Sequence, residues 1–246
     1  MRTISIAAAL LAFNFSVEAQ MQSFDVASPG STGNNYGNVH FYDPAAIGQK
    51  NASVLHYSDI EGSPYLNEHW SPAFLFLRSG GAVKLKNVKL NLYTGDVVYI
   101  DNKGTELAAL PGMVRRIVFL NEKDTTNVTS LFEAFPDSKV ENGYTYYKIL
   151  SDGKWKLLEL QKSLIRTVPL DALADKRNES SFFLKISYAI ANEETVFPLK
   201  TLGYSAISSV LQIDKNADQW LKENKNGLKK ESDVIAYLQY CNSQKK

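Results

Sequence analysis

The chain has 246 residues, 44% of them hydrophobic and 22% charged, with 27 basic against 26 acidic side chains. That balance leaves no basic footprint for nucleic acid or an anionic membrane surface, and the apolar fraction excludes a chain without a core. A single cysteine, Cys241, excludes an internal disulfide framework, cysteine zinc clusters and CxxC redox chemistry, and reads as a buried or idle thiol rather than one paired with another chain.

Met1-Arg2 gives a positive start, and Ile4 to Phe15 is an almost unbroken apolar run. Val17-Glu18-Ala19 then places small residues where a signal peptidase reads them, so residues 1–19 read as a signal peptide cleaved after Ala19. A run of roughly 12 apolar residues is too short to span a bilayer, which takes about 20. No cysteine follows it to carry a lipid. The mature chain is therefore expected to be soluble, without a transmembrane span, and periplasmic or secreted. Residues 20–52 are rich in turn formers, as in Ser28-Pro29-Gly30-Ser31, and read as an irregular segment.

From 53 to 201 the pattern is that of strands. Ala73 to Arg78 is apolar, Ser79-Gly80-Gly81 turns, and Val83 and Leu85 alternate with lysines. Val88, Leu90 and Leu92 alternate again, with the apolar parity shifted around Asn87, which predicts a bulge or break there. Strands at Val97 to Ile100, Thr105 to Leu110 and Val114 to Leu120 continue as an antiparallel meander. Tyr144 to Leu150 and Trp155 to Leu160 flank Asp152-Gly153, a type I′ turn pair. A second hairpin, Ser181 to Ile190 with Thr195 to Leu199, turns at Asn192-Glu193-Glu194.

Residues 202–246 change period. Ala206, Ile207, Val210 and Leu211 share one helical face, and Ala217, Trp220 and Leu221 share another, with Asp214 as N-cap and an end near Asn226-Gly227. Val234, Ile235, Leu238 and Cys241 mark a third helix, with Ser232 as its N-cap. The reading is a mainly β (α+β) protein: a curved antiparallel sheet or partly open barrel of roughly eight to eleven strands, with C-terminal helices packed on it.

The run Gly62-Ser63-Pro64-Tyr65-Leu66-Asn67-Glu68-His69-Trp70, followed by Val88-x-Leu90-x-Leu92-Tyr93, resembles a group of uncharacterised exported proteins of Bacteroidota. Phe197-Pro198-Leu199-Lys200, Trp220 to Lys225 and Asp233-Val234-Ile235 extend the resemblance over roughly Leu55 to Tyr240. It implies an exported β-rich protein. No catalytic residue comes with it.

The chain holds no nucleophile elbow, phosphate loop, dinucleotide turn, HExxH pair or EF-hand loop. Its three histidines, His40, His56 and His69, lie near Asp43, Asp59, Glu61 and Glu68, but their spacing matches no compact metal motif. No metal or cofactor is expected. The same carboxylates, Asp59 or Glu61 with Glu68, or the histidines His56 and His69, define the alternative reading, a hydrolase working from the region 56–70. Tyr57, Tyr65 and Trp70 cluster around a stiff Gly-Ser-Pro turn, where aromatics either contact a ligand or partner or plug the end of the sheet. The leading expectation is a non-enzymatic protein that binds a ligand or an envelope protein through a curved sheet.

Overall fold

The computed structural model describes residues 46–47, 55–57, 60–140, 143–168, 179–193, 195–211, 215–224 and 227–244. Residues 1–19, most of the segment 20–52, His40, Asp43, Asp59, Asp214 and Asn226 lie outside the described residues. Two two-residue strands, β1 (Ala46–Ile47) and β2 (Leu55–His56), pair with each other, so the segment read as irregular contributes a short strand.

The main sheet is antiparallel, has ten strands and is not closed. In chain order its strands are β3 (Ser71–Leu77), β4 (Ala82–Leu90), β5 (Val97–Ile100), β6 (Glu106–Ala108) and β7 (Val114–Leu120). Then follow β8 (Val128–Pro136), β9 (Tyr144–Ser151), β10 (Lys156–Val168), β11 (Glu179–Ala191) and β12 (Val196–Leu199). The order across the sheet is β12-β11-β10-β9-β8-β7-β3-β4-β5-β6. The parity shift in β4 is a bulge: Ser71 faces Val88 but Ala73 faces Leu85, which leaves one extra residue between Leu85 and Val88.

The connection between β6 and β7 departs from a simple meander and shapes the molecule. On a flat sheet these strands would lie four spacings apart, about 19 Å. Only residues 109–113 join them, and the Met113 N–H donates to the Leu110 carbonyl at 3.0 Å, folding that link into a turn. So short a link cannot cross a flat sheet. The sheet curls instead, and Leu107 of β6 shares a core with Phe132 of β8, Phe119 of β7, Leu75 and Leu90. Each side chain buried there contributes about 1.5–3 kcal/mol relative to exposure.

The other half is a ribbon of β9 to β12. Its long pair, β10 and β11, stays in register over thirteen residues. The turn at Asp152-Gly153 is not type I′, since only Leu228 among described non-glycine residues has positive φ. The loop opens instead toward the helices. Asn242 accepts from the Trp155 N–H and donates to the Trp155 carbonyl, both at 2.9 Å. Glycine suits this position, because its φ is +144° and a Cβ would displace the Asn242 amide that lies within 2.3 Å.

The helices are α1 (Tyr204–Leu211), α2 (Lys215–Glu223) and α3 (Glu231–Ser243). Ser232 is not the N-cap of α3. The cap position is Lys230, without a side-chain cap bond, and Ser232 lies inside the first turn. Ile207, Leu221, Val234, Tyr237 and Leu238 join Leu157, Ile190 and Leu199 in a second core against the sheet. Cys241 is half-buried at its margin.

Candidate functional site

The segment after Tyr57 is a strap tied to both halves of the sheet. The Glu61 N–H donates to the Ser180 carbonyl (2.9 Å), and the Phe182 N–H donates back to Glu61 (2.8 Å). Toward β4, the Leu66 N–H donates to Leu90 (2.9 Å) and the Leu92 N–H to Pro64 (2.7 Å). Gly62, at φ +89°, makes the turn between these two attachments. Asn91, wholly buried, locks the strap from below. Its Oδ1 accepts from the Tyr93 N–H (2.9 Å) and the Thr94 N–H (3.1 Å), and its Nδ2 donates to the Tyr57 hydroxyl (3.0 Å).

The three aromatics expected to mark a contact site are placed on this strap. Tyr57 packs edge-on against Tyr65 (6.4 Å) and Phe182 (5.7 Å). Burial pushes its phenol above the usual value, against the opposing effect of the Asn91 bond. Tyr65 and Trp70 share one cation: the Lys89 ammonium lies 4.9 Å from the first ring and 4.8 Å from the second. Lys89 alternates with Val88 and Leu90 of the core, so these rings lie on the outer face of β4. Glu61, Glu68 and His69 are exposed. Among the described residues, no three His, Cys, Asp or Glu side chains stand close enough to hold a metal ion.

The cavity lies on the inner face. It has a volume of about 590 Å³ and opens between the strap, the β7–β8 loop and strands β8 to β10. Leu66 and Phe132 supply its apolar wall, and Asn67, Ser130, Lys148 and Gln161 supply hydrogen-bonding groups. Glu122 and Lys123 lie at its loop side.

Sheet register explains why the polar groups converge. Ile117 faces Phe132, Phe132 faces Lys148, Lys148 faces Glu159, Glu159 faces Tyr188 and Tyr188 faces Leu199. Residues directly opposite share a face, so these form one row across six strands. Its ends belong to the two cores, and its middle is Lys148, Glu159 and Tyr188. Glu159 is only 6% exposed. It accepts from the Gln161 amide and lies 3.9 Å from the Lys148 ammonium, so it sets the direction of two cavity groups. The Tyr188 hydroxyl donates to Glu231 of α3. That bond, burial and the charges of Glu231 and Glu159 push its phenol up to about 12. A buried carboxylate is costly unless paired and hydrogen-bonded, and here both conditions hold.

The pattern reading passed over Lys148, Glu159 and Gln161. One signal was present: Leu157-Leu158-Glu159-Leu160 puts a carboxylate among leucines, at the parity of the buried Leu157. A separate ionic cluster sits on the opposite sheet face, where Glu133 accepts from Arg116 (3.0 Å) and Lys156 (2.9 Å). Burial raises the Glu133 carboxyl, but the bonds and charges of Lys156 and Arg116 prevail and hold it below its usual range.

No protein-family model matches the chain, and neither the curated proteins nor the solved structures give a match. No helix among the described residues is long and apolar enough to cross a membrane.

Proposed function

We propose that this is a non-enzymatic exported protein that binds a small, neutral, hydrogen-bonding molecule of the sugar class in the cavity beside the Lys148–Glu159 pair. The carrying observation is that polar row: the Lys148 ammonium and the Gln161 amide line a cavity of about 590 Å³, and the buried Glu159 carboxylate behind them sets the direction of both. Cavities of roughly 300–1,000 Å³ suit small molecules, and this one is open and lined mostly by polar side chains, which suits a hydrogen-bonding ligand. The charges favour a neutral ligand. Lys148 stands opposite Glu159, and Glu122 adjoins Lys123, so neither sign is in surplus. An apolar cargo is disfavoured because the sheet interior is filled by Phe119, Phe132, Leu75 and Leu90. Export rests on the leader-like start and on the resemblance to exported proteins of Bacteroidota, and it places the protein in the periplasm or outside the cell.

Thermal melts test this with a panel of neutral mono- and disaccharides at about 10 mM and oleate as the apolar probe. A ligand that binds only the folded state raises the melting temperature with concentration. At least one sugar is expected to do so, and Gln161→Ala is expected to abolish the rise. A rise with oleate alone, no rise with any sugar, or a sugar effect that survives Gln161→Ala would overturn the reading.

A further inference from the structure

We propose that the middle of β11 is a docking edge for an extended peptide strand carrying one acidic residue between two apolar ones. Both ends of this edge are already paired. The strap bonds to Ser180 and Phe182, and β12 pairs with Tyr188 to Ala191. Between them, residues 183–187 have no neighbouring strand on that side among the described residues. Alternation decides which groups face the gap. The N–H of Phe182 faces the strap and that of Asn192 faces Thr195, so Leu184 and Ile186 also direct N–H and C=O outward. Four backbone groups therefore wait along about 17 Å of edge.

The side chains state what would fit. On the inner face Leu184 and Ile186 are 53% and 48% exposed. Phe182 beside them lies against Tyr57 and Tyr93, and Tyr188 is bonded to α3, so the apolar gap is bounded at both ends. On the outer face Lys185 stands directly opposite Lys162. Arg166 lies over the Phe183 ring at 5.2 Å. None of these three cations has an ion-pair partner among the described residues. Like charges directly opposite destabilise a sheet, and an anion on a third strand beside Lys185 would relieve the pair. A second copy paired through this same edge supplies no such anion. Two-fold antiparallel pairing of these edges sets Lys185 against its own counterpart, the usual guard against self-pairing. Residues opposite Leu184 and Ile186 would be apolar, and the one opposite Lys185 acidic. This is strand addition with a charge rule.

Fluorescence anisotropy on the full chain tests it with a labelled heptapeptide, Thr-Thr-Val-Asp-Val-Thr-Thr, and its counterpart with Lys in place of Asp. The aspartate peptide is expected to bind at least about tenfold more tightly, as a directly opposed charge discriminates partners. Lys185→Glu should reverse that order. Ile186→Pro should lose both peptides, because it removes an edge-facing N–H and no bond to β10. Equal binding of the two peptides, an unchanged order in Lys185→Glu, or no binding of the aspartate peptide would overturn the proposal. So would a dimer in sedimentation that Ile186→Pro dissolves, since the edge would then belong to a second copy.

Discussion

Asn91→Ala puts the strap to its sharpest test. The side chain is fully buried and makes three hydrogen bonds, two accepted from backbone N–H groups and one donated to Tyr57. Alanine replaces none of them. The bond to Tyr57 contributes about 1 kcal/mol net, and each of the two half-buried N–H donors left without an acceptor costs about 1–2 kcal/mol, the lower part of the range for buried groups. The sum is about 3–5 kcal/mol, a large part of the stability of an ordinary domain. Tyr57→Phe removes only the third bond, so about 1 kcal/mol is expected, and the two changes should couple by about the same amount. Urea unfolding at neutral pH, followed by tryptophan fluorescence, measures both.

The same substitution has a local signature. The strap amides of Leu66 and Leu92 donate across to Leu90 and Pro64, so hydrogen exchange at both should accelerate before global unfolding does. An Asn91→Ala protein within 1 kcal/mol of the wild type, or with both amides equally protected, would refute this account of the strap.

Trp70→Ala should cost about 1–2 kcal/mol in the same urea assay, below the 3–5 kcal/mol of an emptied core aromatic site, because Trp70 is half-buried and shares Lys89 with Tyr65; a loss above 3 kcal/mol would show that the ring is core. Glu133→Gln should remove about 1–3 kcal/mol at neutral pH and flatten the acid limb of stability. The Glu133 carboxyl is held below its ordinary value of 4.5, so its contribution is complete above that pH and disappears as pH falls through the depressed folded value. A variant whose unfolding midpoint falls as steeply as the wild type between pH 5 and 3 would remove Glu133 from that role.

Much of the fold was legible because local rules and the final structure agree. The bulge in β4 followed from the parity shift at Asn87, and the hairpin of β11 and β12 from the turn at Asn192. Strand β8 was missed for a physical reason. Its Phe132 and Phe135 serve cores on opposite faces, so its apolar residues do not alternate cleanly. The outer half of β10 was read short, because Gln161, Lys162 and Arg166 interrupt the apolar pattern where the ribbon leaves the core, whereas β11 was read over nearly its whole length. The return of β7 to the flank of β3 is a non-local pairing, and no window of sequence contains it. The cavity is non-local as well. Asn67, Ser130, Lys148 and Gln161 come from four separate segments and meet only through register.

That register carries the functional argument further than any motif. A row that begins in one apolar core and ends in another has no packing reason to place Lys148, Glu159 and Tyr188 at its centre. A buried carboxylate such as Glu159 costs desolvation that its partly exposed Lys148 partner only offsets, so stability alone does not account for the trio. Local rules that are broken inside an otherwise consistent fold concentrate at functional sites. Here the break falls where the cavity opens, beneath a strap whose attachments to both halves of the sheet hold Leu66 and Asn67 in its wall. The outward face of the strap carries Tyr65 and Trp70, both set over the Lys89 ammonium. The inward face carries the contacts a ligand would meet. Alternation along a single strap separates Tyr65 from Leu66, and with them the side that packs on Lys89 from the side that lines the cavity.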